Sequence, residues 1–368
     1  MSAKKKILFV GSFIAPSDGR IGGQYFASKS LIESDLAKVY NFVKVDSTID
    51  SIRVGSVFLR LHKVIGRGLR IFAILFSQKI DGVLLFSSSG LSFIEKGTIG
   101  VISKLFFKKV IIFPRSGFII DNLEGSQIFR LYFKIVVRMC DSVICQSNFW
   151  KEKFSLYTPR KMDRKFHVIE NWLPDSYWKL PQKKMDFDEN RPLKLVYFNR
   201  IEKEKGIYDF LETMKILQRE RISVTATIYG DGREQENVIR AIASEPILNT
   251  TYGGWLSADC KQAIQAFDLC VFTSHREGFP NALLEGMAYG VPHMATTVGS
   301  VNDLIISGYN GVLVEVKSPE QMANAIRDLV KNKQLLQIYS TRSLERISSK
   351  NTLSSAVYSF AKLFERVL

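Results

Sequence analysis

The stretch that decides the fold runs Leu269-Cys270-Val271-Phe272-Thr273-Ser274-His275-Arg276-Glu277-Gly278-Phe279-Pro280-Asn281-Ala282-Leu283-Leu284-Glu285-Gly286-Met287-Ala288-Tyr289-Gly290. Its first residues are apolar and partly β-branched, a run short enough for a strand buried in a parallel sheet. Ala282, Leu283, Met287 and Ala288 then recur at helical spacing, and Gly290 with Pro292 beyond it stops the helix. Gly278 and Pro280 make the turn between the two. The segment reads strand, loop, helix. The backbone amides from Phe279 to Ala282 are expected to be the free donors of the helix start. Such donors, with the helix dipole, favour an anion, typically a phosphate. Glu277 on the loop and Glu285 about two turns along the helix can face one crevice at the carboxyl end of the strand, where open α/β sheets take ligands. Carboxylates accept hydrogen bonds from hydroxyls, so sugar and ribose hydroxyls suit this pair.

The same alternation extends in both directions. Leu193 to Asn199 reads as a strand, followed by Arg200, Lys205, Gly206 and a helix to about Arg219. Two cations on a loop after a strand can grip a diphosphate, arginine through two parallel bonds. Val224 to Tyr229 is a strand ending in Gly230-Asp231-Gly232, and Tyr252-Gly253-Gly254-Trp255 reads as a later loop. Pro292 to Val298 and Val312 to Val316 are strands, with a helix opened by Ser318-Pro319-Glu320 running to about Lys331. Upstream, strands are expected at 6–11, 39–45, 82–86, 109–113, 142–146 and 166–169, with helices between them. The turn after the first strand carries Gly22 and Gly23, whose lack of side chains lets a backbone approach a ligand closely. The polar, turn-rich run 174–192 reads as a linker. The expected fold class is therefore α/β: two Rossmann-like, doubly wound parallel-sheet domains, 1–173 and 193–351, facing across a cleft.

Glu277-Gly278-Phe279-Pro280-Asn281-Ala282-Leu283-Leu284-Glu285, followed by Gly286-Met287-Ala288-Tyr289-Gly290-Val291-Pro292, closely resembles the donor-site signature of the retaining group-1 (family 4) glycosyltransferases of the GT-B fold. Asn199-Arg200-Ile201 with Lys205-Gly206 matches that family's diphosphate-neutralising cations. Cys140 to Ser147 and Val168 to Asn171 resemble its first-domain closing segments. The resemblance implies a nucleotide-diphosphate-sugar donor, retention of configuration and no metal or other cofactor. It assigns Arg200, Lys205 and Glu277 to catalysis, Glu277 contacting the sugar and Glu285 the ribose. Gly22, Gly23, Gly230, Gly278, Phe279, Pro280, Asn281 and Ala282 complete the donor site. The resemblance makes 1–173 the acceptor-binding domain and 193–351 the nucleotide-sugar donor-binding domain, and the last segment, 352–368, is expected to cross back onto the first. Where many members carry a His before a Gly, this chain has Arg115-Ser116-Gly117, so the contact to sugar or acceptor changes hands. Arg115 suits an acceptor phosphate or a neighbouring carboxylate.

The chain of 368 residues has net charge +15. Residues 1–175 carry 27 Lys and Arg against 14 Asp and Glu, so nearly all the excess lies in the first half. A basic surface of this kind suits anionic lipid, nucleic acid or an anionic substrate. Arg60, Lys63, Arg67 and Arg70 recur at helical spacing along Val57 to Phe76 beside a broad apolar face. That pattern fits a helix lying on an anionic membrane or an ordinary packed helix with a solvated stripe. Lys104 to Lys109 is a second basic-apolar patch. No apolar run reaches membrane-spanning length, and the charged start followed by Ile7 to Val10 reads as a first strand rather than a leader. The four cysteines lack metal or disulfide spacing. Asp186-Phe187-Asp188 lies in the linker, away from any strand end, so no metal site is expected.

The expected function is sugar transfer to a lipid-linked saccharide during envelope polysaccharide or glycolipid assembly. The expected place is the cytoplasmic, inner face of the membrane. The rivals are a nucleotide-sugar epimerase on the same fold and a catalytically silent membrane-associated binding protein. A nucleic-acid partner is disfavoured by the near-neutral second half.

Overall fold

The computed structural model describes residues 4–15, 23–48, 57–179, 188, 191–244 and 249–368, without the side chains of 57–61, 179 and 258–261. It divides into two compact units, Met1–Trp172 with Leu353–Leu368, and Leu173–Thr352.

The first unit is built on strands β1 Lys6–Gly11, β2 Asn41–Asp46, β3 Gly82–Ser87, β4 Lys109–Pro114, β5 Ser142–Cys145 and β6 Phe166–Val168. They form one parallel sheet in the order β2-β1-β3-β4-β5-β6. Every residue of β3 is buried. That is what a central strand covered on both faces requires, and it explains the unbroken apolar run Val83 to Phe86. One face packs Leu8, Val10, Val83 and Leu85 against the helices Val57–Ser77, Leu91–Leu105 and Gln127–Met139. The other packs Ile7, Phe9, Leu84 and Phe86 against the final helix, Leu353–Val367, through Ala356, Phe360 and Phe364. Phe360 is fully buried within ring-contact distance of Phe86, Phe113 and Trp172. A side chain of that size contributes about 2–3 kcal/mol by burial. The expected return of the last helix to the first sheet therefore has a specific anchor.

The second unit repeats the plan with β7 Leu193–Phe198, β8 Val224–Tyr229, β9 Thr250–Gly254, β10 Leu269–Phe272, β11 His293–Thr296 and β12 Gly311–Val314. The order is β12-β11-β10-β7-β8-β9, again parallel. The chain winds outward from β7 in one direction and from β10 in the other. The topological switch point thus falls between β7 and β10, and the loops beyond their carboxyl ends flank a ready-made crevice.

Two expectations shift. Tyr252-Gly253-Gly254, read as loop, belongs to edge strand β9; Gly253 fits there because Tyr229 of β8 lies across it, where a Cβ would meet the ring at 2.2 Å. Residues 175–179, placed in the linker, form a short 3-10 helix whose Tyr177 and Trp178 pack on the second unit. Cys140, Cys145 and Cys270 are buried free thiols, pushed above the ordinary thiol range by burial.

Candidate functional site

The site is assembled where β7 and β10 end. Gly206 closes the loop after β7 with φ 68°, and a Cβ there would lie 1.9 Å from the Thr273 carbonyl oxygen. Only glycine combines that left-handed backbone with so close an approach. Thr273 Oγ donates to the carbonyls of Lys205 at 3.1 Å and Gly206 at 2.8 Å. Tyr197 donates its hydroxyl to the carbonyls of Arg200 at 3.0 Å and Lys205 at 3.2 Å. Its hydroxyl pKa is raised well above the usual value, first by burial and then by the charge of Glu277. The Lys205 backbone is thus held from two strands at once.

From this anchored position Lys205 Nζ reaches Glu277 Oε1 at 2.6 Å, and Ser274 Oγ donates to the same oxygen at 2.7 Å. Asn199 Nδ2 donates in turn to Ser274 Oγ at 3.1 Å. Asn199 Oδ1 accepts the Arg200 amide at 2.9 Å. The ion pair is largely buried, with side-chain exposures of 21% and 9%. The Arg200 side chain is exposed and turns to Glu202 at 2.9 Å. The structure therefore joins Lys205 to Glu277 but sets Arg200 apart from them. Gly230, with φ 147°, would place a Cβ 1.9 Å from the Asn199 carbonyl, so the loop after β8 lies directly against the same turn.

The helix after the signature loop is Asn281–Ala288, with Pro280 as its N-cap. Pro280 has no N–H, so the start of the expected donor set moves from Phe279 to Asn281. The amides without an acceptor inside the helix begin at Asn281, and Leu284 is the first to bond back, to the Pro280 carbonyl at 3.1 Å. Phe279 is buried in the core beneath. Gly278 accepts from the Ser300 amide at 3.3 Å. Glu285 lies beside Tyr177 and Tyr289, whose rings are 5.2 Å apart. The Tyr177 hydroxyl is pushed strongly upward by burial first, then by the Glu285 charge and by its bond with Tyr289. Sequence reasoning gave no role of their own to Ser274, Asn199 or Tyr177. The first two stand directly at strand ends beside named residues, a signal that was available. Tyr177 had none.

In the first unit Arg115 follows β4. Its Nη2 donates to Asn171 Oδ1 at 3.0 Å, while Nε and Nη1 are sealed from solvent without a partner. Phe113, Trp172 and Phe86 surround the guanidinium at 4.8, 5.3 and 5.4 Å. Burial lowers its pKa to about 9. Among the described residues no carboxylate pairs with Arg115; aromatic faces take that place. Ser116 Oγ bonds Ser89 at 3.4 Å, and Gly117 precedes the helix Phe118–Gly125. Gly22 lies outside the described residues, and Gly23 opens the helix Gly23–Glu33.

The basic stripe also resolves differently from a flat membrane face. Arg67 turns inward, bonding Glu95 at 2.6 Å and the Asp46 carbonyl at 3.2 Å. Lys63 and Arg70 are exposed, and the side chain of Arg60 lies outside the described residues. Asp186 and Phe187 are outside them too. Among the described residues no cluster of three or more His, Cys, Asp or Glu is placed to hold a metal. Nor is any helix there long and apolar enough to cross a membrane.

The family model described as Glycosyl transferases group 1 matches residues 181–346. Glycogen synthase of Mycobacterium tuberculosis is 27% identical over 240 residues, 63% of this chain. The match spans 57% of that relative's own length. The capsular polysaccharide biosynthesis glycosyltransferase CapM of Staphylococcus aureus is 25% identical over 277 residues, 70% of each chain. Among solved structures, Anabaena HepE in complex with UDP-glucose aligns with TM-score 0.71 at 17% identity, over 98% of this chain and 99% of that one. At that identity the likeness speaks for the fold, two parallel-sheet domains of the GT-B type.

Proposed function

We propose, from the premise that residues 181–346 form a group 1 glycosyltransferase domain, that the whole chain moves a sugar from a nucleotide-diphosphate-sugar to an acceptor with retention of configuration. The observation that carries this reading is the buried Lys205–Glu277 pair at the β7–β10 switch point. An ammonium has three donors. Lys205 can keep Glu277 while offering a second hydrogen bond to a phosphate oxygen.

In the reaction the bond between the anomeric carbon and the diphosphate oxygen breaks as the acceptor oxygen attacks from the same face. The acceptor's proton passes to the departing phosphate oxygen. Negative charge grows on the diphosphate, and Lys205, Arg200 and the amides of the Asn281–Ala288 helix start meet it. Preorganised donors of this kind are usually the largest catalytic contribution. Arg200, exposed and paired among the described residues with Glu202, can swing onto the phosphate. Glu277, its Oε1 occupied by Lys205 and Ser274, offers Oε2 to a sugar hydroxyl. Glu285 takes the ribose hydroxyls. The cations supply the charge a metal supplies in other transferases, so the reaction is written without one.

The acceptor we propose is a lipid-linked saccharide, used by a chain resting on the inner, cytoplasmic membrane face. Supporting this are apolar side chains left exposed on two helices that pack on either side of Leu91–Leu105 over one face of the first sheet. They are Ile65, Leu69 and Phe76 on Val57–Ser77, and Ile128, Leu131 and Ile135 on Gln127–Met139. Contiguous exposed apolar surface marks protein or membrane contacts, and the basic first half favours an anionic bilayer. The relation to CapM suggests envelope polysaccharide assembly as the setting.

The test is incubation with a panel of nucleotide-sugars, UDP-glucose first, with and without lipid-linked acceptor, following nucleoside diphosphate release and the anomeric configuration of the product. Release that needs the acceptor and yields retained configuration is expected. Inverted product, or conversion of the donor sugar without transfer, overturns the reading.

A further inference from the structure

The first unit carries a cavity of about 450 Å³ that the donor chemistry does not use. It is bordered by Ile14 after β1, by Asp46 and Thr48 at the end of β2, and by Lys63, Arg67 and Arg70 of the helix Val57–Ser77. Its volume is within the ~300–1,000 Å³ typical of small-molecule sites, and it lies at the carboxyl ends of parallel strands, where α/β sheets take ligands.

The charges in its wall do not cancel. Asp46 is satisfied by the chain itself. Its Oδ1 accepts the amide of Phe13 at 2.7 Å, the amide of Ile14 at 3.2 Å and the Thr48 hydroxyl at 2.7 Å, and its Oδ2 accepts the Thr48 amide at 3.1 Å. Arg67 is answered by Glu95, which also holds the buried Lys96 at 2.7 Å. Lys63 and Arg70 remain, exposed, with no hydrogen bond or ion pair among the described residues. Two cations without a partner among the described residues therefore border the recess.

Helix geometry separates these cations from the apolar surface. Lys63, Gly66, Arg67 and Arg70 share one side of the helix. Ile65, Leu69, Phe72 and Phe76 lie on a side roughly opposite, given about 3.6 residues per turn. A bilayer resting on the apolar stripe leaves Lys63 and Arg70 pointing elsewhere, into the cavity.

We propose that this cavity binds a phosphate or diphosphate group, the anionic end of the acceptor, gripped by Lys63 and Arg70 with Arg67 as its fixed floor. The assignment rests on reading the first unit as the acceptor-binding domain. A guanidinium and an ammonium three and four residues either side of an anchored arginine suit the tetrahedral, multiply charged phosphate.

The experiment uses the full chain and inorganic pyrophosphate, titrated calorimetrically at low salt. To isolate this site, the background is Arg200→Ala/Lys205→Ala, which removes the two cations assigned to the donor diphosphate. Binding is expected in that background, weakening with salt. Adding Lys63→Gln/Arg70→Gln is expected to raise Kd roughly tenfold or more with the melting temperature unchanged, because both side chains are exposed. Absent binding in the background, or binding indifferent to the added pair, overturns the proposal. A second arm uses vesicles containing phosphatidylglycerol. Vesicle binding lost in Lys63→Gln/Arg70→Gln, with no pyrophosphate binding in the background, assigns the cations to a lipid surface and also overturns it. Nucleoside diphosphate release from nucleotide-sugars, read separately on the unaltered chain, keeps the two readings apart. A chain that binds pyrophosphate through Lys63 and Arg70 yet releases none retains the cavity and loses the transferase assignment.

Discussion

Lys205 Nζ and Glu277 Oε1 meet at 2.6 Å across the switch point of the second sheet, one from the loop after β7 and the other from the loop after β10. Each is the other's neutraliser, so each alone is a liability. Lys205→Met and Glu277→Gln are each expected to lower stability by about 1–3 kcal/mol, the cost of leaving a partly buried charged group without its partner. The double variant should lose less than the sum, which urea unfolding of all four proteins measures as a coupling energy. Turnover should behave differently. Lys205→Met is expected to cost roughly 100-fold or more in transfer rate, with no recovery in the double. Near-normal transfer by Lys205→Met removes it from the chemistry.

Gly206→Ala tests how the site is held. The left-handed φ costs about 1–2 kcal/mol for an L side chain, and the added Cβ meets a backbone carbonyl that cannot step aside. A loss above about 2 kcal/mol is expected, with transfer falling at temperatures where the variant is still folded, since Lys205 is the adjacent residue. A variant as stable as the parent contradicts the placement of this loop.

His293 sets an acid limit on the second unit. It is fully buried, both ring nitrogens lack a side-chain partner among the described residues, and burial holds its pKa down to about 3 from 6.5. Below pH 6.5 the unfolded chain takes up a proton that the folded chain refuses. Stability is therefore intact above 6.5 and declines as pH falls, by up to about 1.4 kcal/mol per unit, until the folded group protonates near 3. Between pH 6.5 and 5 the parent's melting temperature should fall more steeply than that of His293→Leu. His167, lowered first by burial and then by Arg366, acts with the same sign in both proteins and cancels in the comparison. Parallel curves contradict the assignment.

Arg115 is a buried cation without a carboxylate. Arg115→Met keeps the length and apolar contact and removes the desolvated charge, an exchange that is often stabilising. A higher melting temperature is expected, together with poorer use of the acceptor, because sites kept against stability are usually functional. A variant that is both more stable and fully active makes Arg115 structural.

Much of the fold was legible in the residues. The runs 83–86 and 110–113 inside the strands β3 and β4 are apolar throughout because a central parallel strand has no solvent face. That signal is local and survives without a structure. The Asn281–Ala288 helix was legible because Gly290 and Pro292 punctuate it, although the place of Pro280 at the cap moved the first donor from Phe279 to Asn281. Edge strand β9 was missed because its glycines imitate a turn. They are tolerated there because Tyr229 occupies the space beside Gly253.

Side-chain partners were another matter. Arg60, Lys63, Arg67 and Arg70 look alike in a helical repeat. Periodicity states only which side of a helix they share. It does not say that Glu95, from a different helix, draws Arg67 inward while Lys63 and Arg70 stay in solvent.

By itself the sequence determined the two parallel sheets, the strand-loop-helix signature and the identities of the candidate groups, because hydrophobic period and turn chemistry act over a few neighbouring residues. Only the tertiary structure decided that Lys205 faces Glu277, that Arg200 stands apart, that Arg115 is caged by rings rather than paired, and that two cations border a cavity. Those outcomes depend on distances between residues tens of positions apart, and such distances exist only once the sheets have set their register.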